Sequence, residues 1–151
     1  MGGLISVARR LAKPINAAQP FYKRALSTAY YALFQMLAQE CADLLVGDGQ
    51  ARQSDEWLQA CRALDHTGAK KACESLSKKT GFGTDIQKFA DVFVTLQEKR
   101  HDADYNPRTI FKRNEVITWI DAAELAIRGF KNSPVSQRRR LAACVLLRKR
   151  N

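Results

Sequence analysis

From Pro20 to Gly47 the apolar residues Leu26, Tyr30, Leu33, Leu37, Cys41 and Leu44 recur at steps of three and four. That period puts them on one face of an α-helix, because a strand would alternate every second residue. Pro20 suits the first turn of such a helix and Gly47 ends it. A second stripe on the same segment, Arg24, Ser27, Tyr31, Phe34 and Ala38, widens the apolar surface and carries polar groups at its N-terminal end. Two neighbouring helices are needed to cover both stripes, which commits the chain to a helical bundle.

The remaining segments repeat the period. Leu4, Val7, Ala8 and Leu11 predict a short first helix that runs to Lys13 and stops before Pro14. Ser54 followed by Trp57, Leu58, Cys61 and Leu64 predicts a helix ending near His66, with Ala69 to Lys78 either extending it or forming a separate short helix. Thr80 to Gly83 break the chain, and Thr84 with Gln87 has the form of a capping box. The stripe Ile86, Phe89, Phe93 and Leu96 follows, and one more step of four lands on Arg100, so a guanidinium arrives on the inward side where the helix runs out. An inward arginine wants an acidic or phosphate partner. Asn106 and Pro107 end that helix. Asn114 is the expected cap of the next, which carries Val116, Ile120, Ala123, Ile127 and Phe130 on one side and closes at Pro134.

No strand alternation, internal repeat or low-complexity tract interrupts this pattern, so the expected fold is all-α, an antiparallel bundle of four to five helices over residues 1–133. Residues 134–151 read as a basic C-terminal helical tail: three arginines (Arg138, Arg139, Arg140), the apolar stretch Leu141 to Leu147, then Arg148, Lys149 and Arg150. The apolar stretch is too short to span a membrane.

Charge narrows the partners. The chain carries a formal net charge of +10, and from Arg128 onward it has eight bases and no acid. Such a field favours polyanions, RNA or nucleotides among them. The arginine clusters of the tail are expected to neutralise phosphates, or else to be solvated. No leader-like apolar segment opens the chain, and no apolar run approaches the ~20 residues of a membrane span. A cytoplasmic location with no membrane partner is therefore expected. Cys41, Cys61, Cys73 and Cys144 are scattered, with neither a C-x-x-C pair nor histidines at ligand spacing, and read as reduced thiols rather than metal ligands. Gly47-Asp48-Gly49 and Gly81-Phe82-Gly83 are isolated turns lacking the lysine and Ser/Thr of a phosphate loop, so no nucleotide-hydrolysis motif and no cofactor is implied.

Two segments carry more specific information. Arg24-Ala25-Leu26-Ser27-Thr28-Ala29-Tyr30-Tyr31-Ala32-Leu33-Phe34 has the shape R-A-x-S-x-A-Y-Y-A-L-F, and Arg100-His101-Asp102-Ala103-Asp104-Tyr105 has the shape R-x-x-A-D-Y. In order, separation and placement on two long helices they resemble the HEPN family of prokaryotic helical domains, across Leu4 to Phe130. The resemblance implies a bacterial helical bundle that dimerises through its long helices, with a polar groove where the two motif helices meet. It also implies a place in a toxin–antitoxin or defence-type system, with RNA or nucleotide as ligand and a nucleotidyltransferase-like protein as a partner. By the same resemblance Arg24, Ser27, Tyr31, Arg100, Asp104 and Tyr105 become candidate nucleotide- or RNA-binding residues, joined by Arg138, Arg139 and Arg140 of the tail.

The ribonuclease branch of that family places a histidine about four to six residues after the arginine, where it can move protons while arginine stabilises charge on phosphorus. Here the position five residues on is Tyr105, and the nearby imidazole is His101, directly adjacent to Arg100. Adjacent helical residues point about 100° apart, so the two do not share a phosphate on an intact helix. Arg62 and His66 form a second Arg/His pair, expected on the surface unless folding brings it beside Arg100. Three functions stay open: a nucleotide- or RNA-binding regulatory module, a metal-independent endoribonuclease using Arg100 with His101 or His66, and a helical adaptor whose Tyr30 and Phe34 surface meets another protein. The alternative role of Arg100, Asp104 and Tyr105 is to lock the helix end, with Tyr105 packed as an amphipathic plug. Tyr30 and Tyr31 would then serve packing.

Overall fold

A computed structural model of the chain describes residues 2–147 and contains seven α-helices, with no strand among the described residues. Four of them make the bundle: α1 (Gly2–Ala12), α2 (Gln19–Leu45), α5 (Thr84–Tyr105) and α6 (Arg113–Asn132). The long helix α2 lies against α1, α5 and α6, and α6 also packs on α1 and α5. Short loops make α1 antiparallel to α2 and α5 antiparallel to α6, and the start of α2 meets the end of α5 through Ser27–Asp104 and Tyr31–Arg100, so α1 and α5 run one way and α2 and α6 the other. Three shorter helices, α3 (Asp55–Ala63), α4 (His66–Glu74) and α7 (Val135–Leu146), cover the flank: α3 on α2, α4 on α5, and α7 on both α4 and α2.

The first stripe of α2 is buried almost throughout, while the second is covered in part: Ser27 and Ala38 are buried, Tyr31 and Phe34 half-buried and Arg24 exposed. Leu26, Tyr30, Leu33, Leu37 and Cys41 have no exposed surface and meet Phe89, Phe93 and Leu96 of α5 and Ile120, Ile127 and Phe130 of α6. Phe89 lies between Phe93 and Phe130, at ring-centroid distances of 6.1 and 5.0 Å. Helix α2 ends at Leu45, and the chain turns away two residues on at Gly47, whose φ of 130° is open to glycine and strained for other residues.

Several expected helix ends differ, because other side chains, local or distant, claim the backbone groups there. Ser54 caps α3 as its position suggests, accepting from the Trp57 N–H. That helix stops at Leu64, however, and Asp65 caps a new helix by accepting from the Gly68 N–H, so His66 begins α4 rather than ending α3. The Thr84–Gln87 box does not form: Gly83 is the cap residue, its N–H donates 2.8 Å to Oε1 of Gln137 on α7, and Gln87 donates to the Phe82 carbonyl. Asn114 is not a cap either. Gln19 grips Phe111 through both its N–H and its carbonyl, at 2.8 Å each, and α6 starts at Arg113 with Lys112 before it.

The C-terminal segment belongs to the packing. Leu141, Ala142 and Val145 of α7 are buried in the core, because the apolar stretch of the basic tail supplies the inner face of a helix. Arg148, Lys149 and Arg150 lie outside the described residues. All four cysteines are free thiols, and burial pushes those of Cys41 and Cys73 up to about 12. No helix among the described residues is long and apolar enough to cross a membrane.

Candidate functional site

The inward step from Leu96 to Arg100 brings the guanidinium onto α2. Arg100 Nη2 donates to the Tyr31 hydroxyl at 3.1 Å, and the guanidinium carbon lies 5.6 and 5.4 Å from the ring centroids of Tyr30 and Tyr31. One turn on, Asp104 lies 3.2 Å from Arg100 Nε and accepts a 2.9 Å hydrogen bond from the Ser27 hydroxyl. Ser27, Tyr31, Arg100 and Asp104, drawn from two motifs far apart in sequence, thus form one constellation across the α2–α5 interface. Burial works against the charge on Arg100, but the Tyr31 hydroxyl and the Asp104 carboxylate outweigh it and hold its pKa above the ordinary value. The Arg100 Nε is nevertheless buried without a hydrogen bond, since Asp104 is near enough for charge attraction but not in line with that N–H.

His66 completes the cluster. The break at Leu64 and Asp65 turns α4 back along the bundle, and the half-buried imidazole stacks on Phe34 at a centroid distance of 4.0 Å and an angle of 21°. Its Nδ1 is 2.6 Å from the Tyr30 hydroxyl, and its backbone carbonyl accepts from Gln97 Nε2 at 3.0 Å. Its ring faces Tyr31 edge-on at 6.1 Å, so His66 and Arg100 share the same two tyrosines. Desolvation, and after it the charge of Arg100, lower the His66 pKa, so the ring is neutral near pH 7. Burial raises the Tyr30 pKa, keeping its proton on the phenol. A buried phenol left without an acceptor is costly. Tyr30 therefore donates to Nδ1, and the imidazole carries its own proton on Nε2.

A cleft of about 280 Å³ adjoins the cluster, lined by Lys70, Gln97, Glu98, Arg100 and His101. A larger groove of about 800 Å³ between α4 and α7 offers Lys71 and Lys79 but neither arginine nor histidine. Among the described residues no group of His, Cys, Asp and Glu is placed to hold a metal ion.

Other candidates fall elsewhere. Arg24 is exposed and makes no side-chain hydrogen bond or ion pair among the described residues. His101 is exposed and stacks on Tyr105, which is no plug: it is 68% exposed, as the last residue of its helix. Arg138 donates to the Ser133 carbonyl at 3.0 Å and approaches Glu40 at 3.6 Å. Arg140 donates to the Thr80 carbonyl and stacks on Phe82 at 4.4 Å. These two arginines fasten α7 to the bundle, although Arg140, like Arg139, stays exposed, and only Arg138 is half-buried. Arg62 is exposed and separated from His66 by the helix break, so the sequence pair dissolves while its histidine joins Arg100. Sequence reasoning missed Gln97, three residues before Arg100 on the same stripe, whose Oε1 is buried without a partner, and the polar use of the Tyr30 hydroxyl.

No protein-family profile matches the chain, and neither a curated protein nor a solved structure does. The likeness to HEPN domains therefore rests on the two motifs.

Proposed function

We propose that the chain is a HEPN-like module that binds the phosphate of a nucleotide or of RNA at the α2–α5 groove, as a regulatory component of a toxin–antitoxin or defence-type system. The observation that carries this is the buried Arg100 Nε, a charged donor with no hydrogen bond, in a cluster it shares with the His66 imidazole, whose Nε2 becomes a second donor when Tyr30 donates to Nδ1. Phosphate oxygens accept from such groups, and a guanidinium stacked on aromatic rings is already oriented for them. Fluorescence anisotropy with labelled RNA and with adenine nucleotide tests it. Arg100→Met is expected to weaken binding about tenfold or more, the usual worth of a charge-assisted hydrogen bond. Equal affinity of Arg100→Met and the unaltered protein contradicts the reading. Dimerisation and a nucleotidyltransferase-like partner belong to the same proposal, on the strength of the motifs.

The presence of an imidazole beside Arg100 favours a second reading, metal-independent cleavage of RNA with His66 as the acid–base group. A general base needs its lone pair toward the substrate, whereas the Tyr30 hydrogen bond uses the Nδ1 lone pair and leaves Nε2 protonated. Binding is thus the better use of this geometry. Incubation with RNA in EDTA separates the two: cleavage that disappears in His66→Ala and persists in His101→Ala establishes the nuclease, and no cleavage supports binding.

A further inference from the structure

One end of the bundle gathers the α1–α2 loop, the start of α2, the end of α5 and the α5–α6 loop. Cross-links hold these segments side by side: Gln19 with Phe111, Arg113 Nε with the carbonyls of Ala12 and Lys13 at 3.2 and 3.1 Å, and Lys23 with the Asn106 carbonyl at 3.4 Å. Residues 13–24 and 105–114 contain six bases and no acid. Four of those bases, Lys13, Arg24, Arg108 and Lys112, are exposed and have no ion pair among the described residues. The same end displays large apolar side chains, Ile15 at 77%, Ile110 at 74%, Tyr105 at 68% and Phe21 at 52% exposure.

Both placements cost the isolated molecule something. Lys112 and Arg113 stand at the N-terminus of α6, where the helix dipole disfavours cations, and apolar loop tips are poorly solvated. An anionic partner with an apolar interior relieves both costs at once. We propose that this end docks on an anionic lipid surface, with Ile15 and Ile110 entering the interface and the surrounding bases meeting lipid phosphates and carboxylates. Isoleucine neither stacks on bases nor binds phosphate, so the most exposed residues here add nothing to an RNA contact but add directly to a lipid one. A second copy docked through the same end would oppose six cations to six. The attachment is peripheral, unlike a membrane span, and it is independent of the Arg100 groove.

Co-sedimentation of the full chain with vesicles of phosphatidylcholine, alone or mixed with phosphatidylserine, tests this. The chain is expected to sediment with the phosphatidylserine vesicles in a salt-sensitive manner. Replacing three bases (Lys13→Gln, Arg108→Gln, Lys112→Gln) is expected to lower partitioning about a hundredfold, since each base near an anionic surface contributes about fivefold. The pair Ile15→Ser and Ile110→Ser is expected to lower it with unchanged melting by circular dichroism, and Arg100→Met to leave it intact. Failure to bind phosphatidylserine vesicles, or binding indifferent to both sets of changes, overturns the proposal. Loss of RNA affinity or of a dimer in those variants, without vesicle binding, overturns it too and gives the surface to RNA or to a second copy.

Discussion

His66 is where single side chains decide the chemistry. Its pKa is depressed by desolvation and by Arg100, so the folded chain binds fewer protons than the unfolded chain between the lowered value and about 6.5. Stability is therefore complete above about 6.5 and falls as pH drops through and below it. Thermal melting across that range is expected to show the loss, and His66→Gln to flatten it. Removing one of the two causes should be visible by itself: in Arg100→Met the His66 midpoint, followed by NMR, is expected to move up toward the ordinary histidine value. A midpoint unmoved by Arg100→Met would mean that the guanidinium does not act on the ring. Tyr30→Phe strips the half-buried Nδ1 of its donor beside the fully buried Tyr30 ring and is expected to cost about 1–3 kcal/mol in denaturant unfolding.

At the level of elements, α7 is the most informative. Leu141 has no exposed surface, so Leu141→Ala is expected to destabilise the whole bundle by about 2–5 kcal/mol, and a cost near zero would make the helix an appendage after all. Asp65→Ala removes the cap that starts α4, expected to cost about 1 kcal/mol and to loosen the frame of His66, read as a broader imidazole resonance. Long periodic helices were legible because a core stripe declares itself every three or four residues, as Ile86 to Leu96 did. The inward turn of Arg100 could be read by extending that stripe. The helix ends were less legible: Gln137 lies 54 residues from the Gly83 N–H it satisfies, and no local pattern announces such a contact. For the same reason His66 looked like a helix terminus on the surface. Its place in the groove depends on a two-residue break and on α4 packing against α5, both tertiary outcomes.

The whole molecule combines a four-helix core with a groove whose charged and aromatic groups come from α2, α4 and α5, and with a strongly basic surface that draws anions toward it. Of the tail arginines Arg138 is drawn in, half-buried against the Ser133 carbonyl and Glu40, while Arg139 and Arg140 keep their place on that surface. If Arg100 and His66 act together on one phosphate, as proposed, the two side chains respond to a ligand as one. NMR mapping of the arginine Nε–H and histidine resonances during titration with a ribonucleotide tests this most directly. The account expects the Arg100 Nε–H and the His66 ring to shift together and saturate with one affinity, while Arg139 stays unmoved. Shifts confined to the tail or to His101, with Arg100 and His66 unchanged at saturation, would contradict it.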